Sequence, residues 1–133
     1  MTKQLFPMIV VQDPGQAALW YCERLGFKMV ASLGWYEHLR DAEGHELGFL
    51  AAGLDGQPKP LRTASTGEGF ALSFEVSDLE ACWAAWGCRE DALLQPAREE
   101  WGQYHFVVRD AAGVVVDVIQ AEAAAGQAAG GEQ

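Results

Sequence analysis

An α+β fold built from two tandem βαβββ units is predicted by three observations. The turn Arg40-Asp41-Ala42-Glu43-Gly44 returns as Arg109-Asp110-Ala111-Ala112-Gly113, 69 residues later in a chain of 133. In each half a β-branched run ends in an Asp that can cap a helix, at Asp13 and at Asp78. The order of strand, helix and further strands then repeats. Turn, cap and element order agree together, which identifies one structural unit written twice.

Each element follows from local chemistry. Residues 5–12 are β-branched and apolar and read as a strand. Asp13-Pro14 opens a helix, with Asp as N-cap and Pro at the first helical position. That helix carries Ala17, Ala18, Tyr21, Cys22 and Leu25 at helical spacing, and Gly26 ends it. Strands are expected over 27–33, 35–40 and 45–52. The segment 53–68 is rich in Gly, Pro, Ser and Thr and reads as a linker. The second unit repeats the plan: a strand over 70–76, a helix capped by Ser77-Asp78 and running to Trp86, a strand placed within 92–99, and strands over 104–109 and 114–120. The units thus span 5–52 and 69–120 of a single domain, 1–122. The tail 123–133 is low in complexity, lacks a core pattern and is expected to fray.

Composition excludes several function classes. The formal charge of −10 argues against nucleic acid and anionic membranes, both of which need a basic face. It serves solubility, or it favours a cationic ligand. No apolar run reaches the roughly 18 residues of a membrane span, and the N-terminus lacks a signal-peptide apolar region. Cys22, Cys82 and Cys88 form no CxxC pair and are expected as reduced thiols in the cytoplasm. There is no phosphate loop, no G-x-S-x-G and no evident cysteine–histidine arrangement.

Three further stretches carry a family resemblance. Trp20-Tyr21-Cys22-Glu23-Arg24-Leu25-Gly26-Phe27, Phe74-Glu75-Val76-Ser77-Asp78 and the run from Trp101-Gly102 through Phe106 to Gly113 resemble, in order, motifs of the vicinal oxygen chelate superfamily. That superfamily includes glyoxalase I, extradiol dioxygenases, and fosfomycin and bleomycin resistance proteins. The resemblance covers residues 5–120. It implies curved mixed sheets around a pocket, and a homodimer. Metal-dependent members place ligands seven residues before the capping Asp and four after the hairpin Gly. Here those positions hold Phe6, Ala71, Gly48 and Asp117, of which only Asp117 can ligate. Catalytic metal sites generally need about three protein ligands, so no metal cofactor is expected, and the closest pattern is that of metal-free bleomycin-resistance-like members.

Ideal hairpins with four-residue turns would pair Arg109 with Val114, Val108 with Val115 and Phe106 with Asp117. Cross-strand partners share a face. The pocket face would then carry Tyr104, Phe106 and Asp117 in the second unit and Trp35, Glu37, Glu46 and Gly48 in the first. Phe6, Met8, Ala71 and Glu75 join from the first strands, and Trp101 sits at the rim. His38, His45 and His105 would fall on the opposite face, and a one-residue slip would turn His105 inward. Asp117 is costly to bury inside an apolar strand and must meet a donor, a cation or water. The leading expectation is a protein that binds or sequesters a planar or cationic small molecule, as in antibiotic resistance. An enzyme with a non-standard metal site, or with Asp117 or Glu37 as general base, remains open. So does a housekeeping protein with an unrelated ligand.

Overall fold

The computed structural model describes residues 1–87 and 90–122; Cys88 and the tail 123–133 lie outside the described residues. Two compact units are formed by the described residues: Met1–Glu68 with Asp110–Val114, and Gly69–Arg109 with 115–122. Among the described residues no helix is long and apolar enough to cross a membrane.

The first unit runs β1 (Met8–Val11), α1 (Pro14–Leu25), β2 (Lys28–Ser32), β3 (Tyr36–Arg40) and β4 (Glu46–Ala51). Its sheet has the order β1-β4-β3-β2, with β1 parallel to β4 and the other pairs antiparallel. The second unit runs β5 (Leu72–Glu75), α2 (Leu79–Trp86), β6 (Leu94–Glu99), β7 (Gln103–Arg109) and β8 (Val115–Ala121), in the order β5-β8-β7-β6. This is the tandem βαβββ plan. The strand expected within 92–99 is β6. The strand expected from residue 5 starts at Met8, just after Pro7, whose ring removes a ladder donor.

Both helices are capped alike. Asp13 Oδ1 accepts from Gln16 N at 3.0 Å and Asp78 Oδ1 from Ala81 N at 3.0 Å. The left-handed Gly26 (φ 73°) and Gly87 (φ 63°) end them. Each helix covers one face of its own sheet. On α1, Ala17, Ala18 and Tyr21 are buried, and the Tyr21 ring stacks on Phe49 with centroids 5.5 Å apart. From α2, Trp83 and Trp86 close over Phe106 at 5.0 and 5.5 Å. Phe49 and Phe106 are both 0% exposed, so they anchor the core of their respective units.

The repeated turn sets the register. Asp41 N donates to His45 O (3.0 Å) and Gly44 N to Asp41 O (3.1 Å), while Asp41 Oδ1 accepts from both Glu43 N (3.0 Å) and His45 N (2.8 Å). Asp110 does the same: it pairs with Val114 through the backbone (2.9 Å), and its Oδ1 accepts from Ala112 N (2.8 Å) and Val114 N (2.9 Å). Gly44 (φ 93°) and Gly113 (φ 88°) supply the left-handed residue that a three-residue hairpin loop requires. The loop therefore holds three residues between paired ends. Arg109 pairs with Val115, Val107 with Asp117, and His38 with Gly48.

This corrects the expected register by one residue and inverts β3 and β7. Glu37 and Leu39 pair with Phe49 and Leu47 on the helix face, and Tyr104, Phe106 and Val108 lie on the helix face of the second sheet. His38 and His105 instead join Gly48 and Asp117 on the face away from the helix, the far face.

Asp110 also meets the first helix. Tyr21 Oη donates to its Oδ2 at 2.5 Å, with Tyr21 0% exposed. Burial, followed by the charge and hydrogen bond of Asp110, pushes the Tyr21 hydroxyl well above its ordinary value, which keeps it a donor. Tyr21→Phe leaves a buried carboxylate oxygen without its donor. It should cost about 1–3 kcal/mol in urea denaturation; an unchanged midpoint would contradict the assignment.

Candidate functional site

On the far face of the first sheet a hydrogen-bonded chain runs across three strand positions. Tyr36 Oη lies 2.6 Å from His38 Nδ1, His38 Nε2 lies 2.6 Å from Glu46 Oε1, and Arg40 Nε donates to Glu46 Oε2 at 3.0 Å. Hydrogen bonds from His38, Gln4 and Arg40 hold the Glu46 carboxyl down to about 2, so it is ionised and can only accept. Phe6 stands edge-on to the His38 ring, with centroids 4.6 Å apart and planes at 88°. Phe6 and Met8 are partly exposed beside it, each at 37%.

Gly48 faces His38 across the ladder. A Cβ there would collide with the Tyr36 hydroxyl and lie 3.1 Å from its Cζ. The absence of a side chain at this position is what admits the phenol, which fills the space.

The second sheet uses the corresponding positions differently. With the 69-residue offset of the repeat, Tyr36 corresponds to His105 and Gly48 to Asp117. His105 Nδ1 lies 2.8 Å from Asp117 Oδ1, and His105 Nε2 lies 3.0 Å from Glu99 Oε2. Both ring nitrogens thus meet carboxylates, which accept but do not donate when ionised, so the arrangement favours an imidazolium. Burial opposes the charge. The hydrogen bonds from Glu99 and Asp117 and their negative charges outweigh it and raise His105 above its ordinary value. The donor that Asp117 required is therefore His105, which supplies the partner that an apolar strand demands.

The remaining candidates fall elsewhere. Glu37 is 3% exposed on the helix face, where its Oε2 accepts from Gly34 N at 3.1 Å and its Oε1 has no partner among the described residues. Tyr104 donates to Glu80 Oε2 at 3.1 Å under the Arg98 guanidinium, and Phe106 is core. Both are packing residues of the helix face rather than pocket residues. Trp35 (49% exposed) and Trp101 (65%) are exposed aromatics, and Trp101 Nε1 donates to Gln103 Oε1. Ala71 is exposed just before β5 and offers no ligating atom. Glu75 lies on the far face opposite Ile119. His45 belongs to the turn, bonded to Asp41 Oδ2 at 2.9 Å.

A metal does not fit the four positions where related metalloenzymes would hold one. Phe6, Gly48 and Ala71 carry no donor atom, and Asp117 is engaged by His105. Among the described residues no three His, Cys, Asp or Glu side chains are arranged to hold a metal ion.

Two outcomes follow from this geometry. Gly48→Ala should displace the Tyr36 hydroxyl and cost about 0.5–1.5 kcal/mol, the worth of one hydrogen bond. In a Tyr36→Phe background the cost should shrink, because the colliding oxygen is gone; equal costs in the two backgrounds would refute the contact. For His105, the folded value is raised above the unfolded value of about 6.5. Its stabilisation is fully present below that unfolded value and is lost as pH rises through the folded one. The melting-temperature advantage of wild type over His105→Gln should therefore be greatest below about pH 6 and shrink as the pH is raised into the alkaline range. An advantage that grows with pH would reverse the assignment.

Comparison with known proteins agrees with this architecture. The chain aligns with a protein from Agrobacterium tumefaciens, ATC0852, at 25% identity and a TM-score of 0.70, covering 91% of this chain and 98% of the other. A lactoylglutathione lyase from Agrobacterium tumefaciens shares the fold at 21% identity and a TM-score of 0.67, with 90% and 95% covered. TioX from Micromonospora sp. ML1 shares it at 17% identity and a TM-score of 0.66, with 90% and 99% covered. No protein of curated function matches. Residues 4–118 match the family model described as the glyoxalase/bleomycin resistance protein/dioxygenase superfamily. With two βαβββ units and a match over most of its length, the chain belongs to that superfamily.

Proposed function

We propose that the protein binds a small molecule without a metal, taking a planar or cationic ligand against the far face of a sheet. The observation that carries this reading is the fate of the metal positions. Gly48 is filled by the Tyr36 hydroxyl, Phe6 packs on His38, and Asp117 is held by His105. What these faces present is an apolar and aromatic bed with fixed polar groups, the usual composition of a small-molecule site. The carboxylates of Glu46, Glu75, Glu99 and Asp117, with a chain charge of −10, favour a cation. Sequestration of an antibiotic by a cytoplasmic homodimer is the biological form this reading takes.

A second reading is supported by one observation. Tyr36, His38 and Glu46 lie in the order hydroxyl, imidazole, carboxylate, which is the order that moves a proton away from a reacting group. Acid–base catalysis would then run through Tyr36 rather than Glu37 or Asp117. The lactoylglutathione lyase among the structural relatives makes an enzyme a natural alternative.

The test joins metal analysis to a ligand screen. The purified protein should contain no stoichiometric divalent ion. Bleomycin, mitomycin or a comparable cationic aromatic compound should raise its melting temperature and change its tryptophan fluorescence equally with and without chelator. One tightly held divalent ion per chain, or stabilisation that chelator abolishes, would refute metal-free binding.

A further inference from the structure

The Tyr36–His38–Glu46 chain has a proton count, and that count fixes the polarity of the group it presents. Glu46 also receives Arg40 Nε and is ionised, so the bond to His38 requires a proton on Nε2. A neutral imidazole carries one N–H. In the neutral ring that proton is committed to Glu46, which makes Nδ1 a bare lone pair and the phenol the donor of the 2.6 Å contact to Tyr36. The Tyr36 hydroxyl then has no proton left to give, and its oxygen offers lone pairs only. Burial and the negative charge of Glu46 raise Tyr36 above its ordinary value, so the phenol keeps the proton it directs at His38.

We propose that the far face of the first sheet holds a ligand through the Tyr36 oxygen as a fixed hydrogen-bond acceptor, and that it selects a planar aromatic molecule carrying an N–H donor, such as an amidinium or arylammonium group. Phe6 and Met8 beside His38 supply the apolar bed for the ring. Gly48 leaves the phenol no side chain to compete with. A carboxylate or carbonyl at the same point would face lone pair against lone pair, a mismatch that costs affinity. This inference rests on the small-molecule reading above and specifies the ligand class for it.

The experiment uses the intact protein and two probes of like size and opposite polarity, benzamidine and benzoate. At about pH 8, long-range ¹H–¹⁵N spectra of the His38 ring should show the Nε2–H tautomer. Benzamidine should bind, followed by tryptophan fluorescence and by shifts of the His38 signals. Tyr36→Phe should weaken it about tenfold, and benzoate should bind more weakly than benzamidine. An Nδ1–H tautomer or an imidazolium would make Tyr36 a donor and overturn the inference while leaving the small-molecule reading intact. Unchanged benzamidine affinity in Tyr36→Phe would do the same. The correct tautomer with no benzamidine binding would overturn both the donor-selective site and the cationic-ligand reading. The wild-type spectra decide the polarity whether or not Tyr36→Phe folds.

Discussion

The side-chain oxygen of one aspartate, used twice, governs the rest of the molecule. In each hairpin the Asp Oδ1 accepts from the backbone of the residue two positions on and from that of the residue four positions on. It takes over the acceptor role that the backbone carbonyl would have in a plain ladder. The loop is thereby fixed at three residues ending in a left-handed glycine, and every pair beyond it is set. Because side chains alternate along a strand, one residue more or less would exchange the two faces. The helix face receives Leu39, Leu47, Phe49, Phe106, Val116 and Val118, all buried, while the far face receives the histidines.

From that register the two units diverge in chemistry at matching positions. A phenol reaching over a glycine in the first becomes an imidazole reaching a carboxylate in the second. Both solutions satisfy the polar groups from within the chain. In the second unit, a half-buried carboxylate on an apolar strand would be unfavourable by several kcal/mol if it stood alone. His105 offsets that cost and couples β6, β7 and β8 through one protonated ring. In the first, the order from Tyr36 to Glu46 leaves both imidazole nitrogens of His38 engaged. Duplication supplied the scaffold, and the far faces are where the copies differ.

Much of this was legible in the sequence. The caps at Asp13 and Asp78, the glycines that end the helices and the repeated turn each follow from a local rule, and they yield the element order directly. Asp117 was recognisable as a group in need of a partner. The register was not legible. The run Val114-Val115-Val116-Asp117-Val118-Ile119 is apolar at both alternating positions, so it contains no pattern that distinguishes one face from the other. The turn was readable as a turn, but the Asp side chain standing in for a backbone acceptor changes the pairing by one residue. Glu37 was misplaced for the same reason: a charged residue opposite Phe49 under a helix runs against the expectation that carboxylates face solvent or ligand. The Tyr36–Gly48 fit depends on a diagonal contact between strands, which spacing along the chain does not contain.

The account stands or falls on the register, and cross-strand Hα–Hα nuclear Overhauser effects measure it directly. Antiparallel strands bring the Hα atoms of non-hydrogen-bonded pairs close together. The structure predicts strong contacts between His38 and Gly48 and between Val107 and Asp117. A contact between Glu37 and Gly48 would move His38 to the helix face, and one between Phe106 and Asp117 would move His105 there; either would contradict the account.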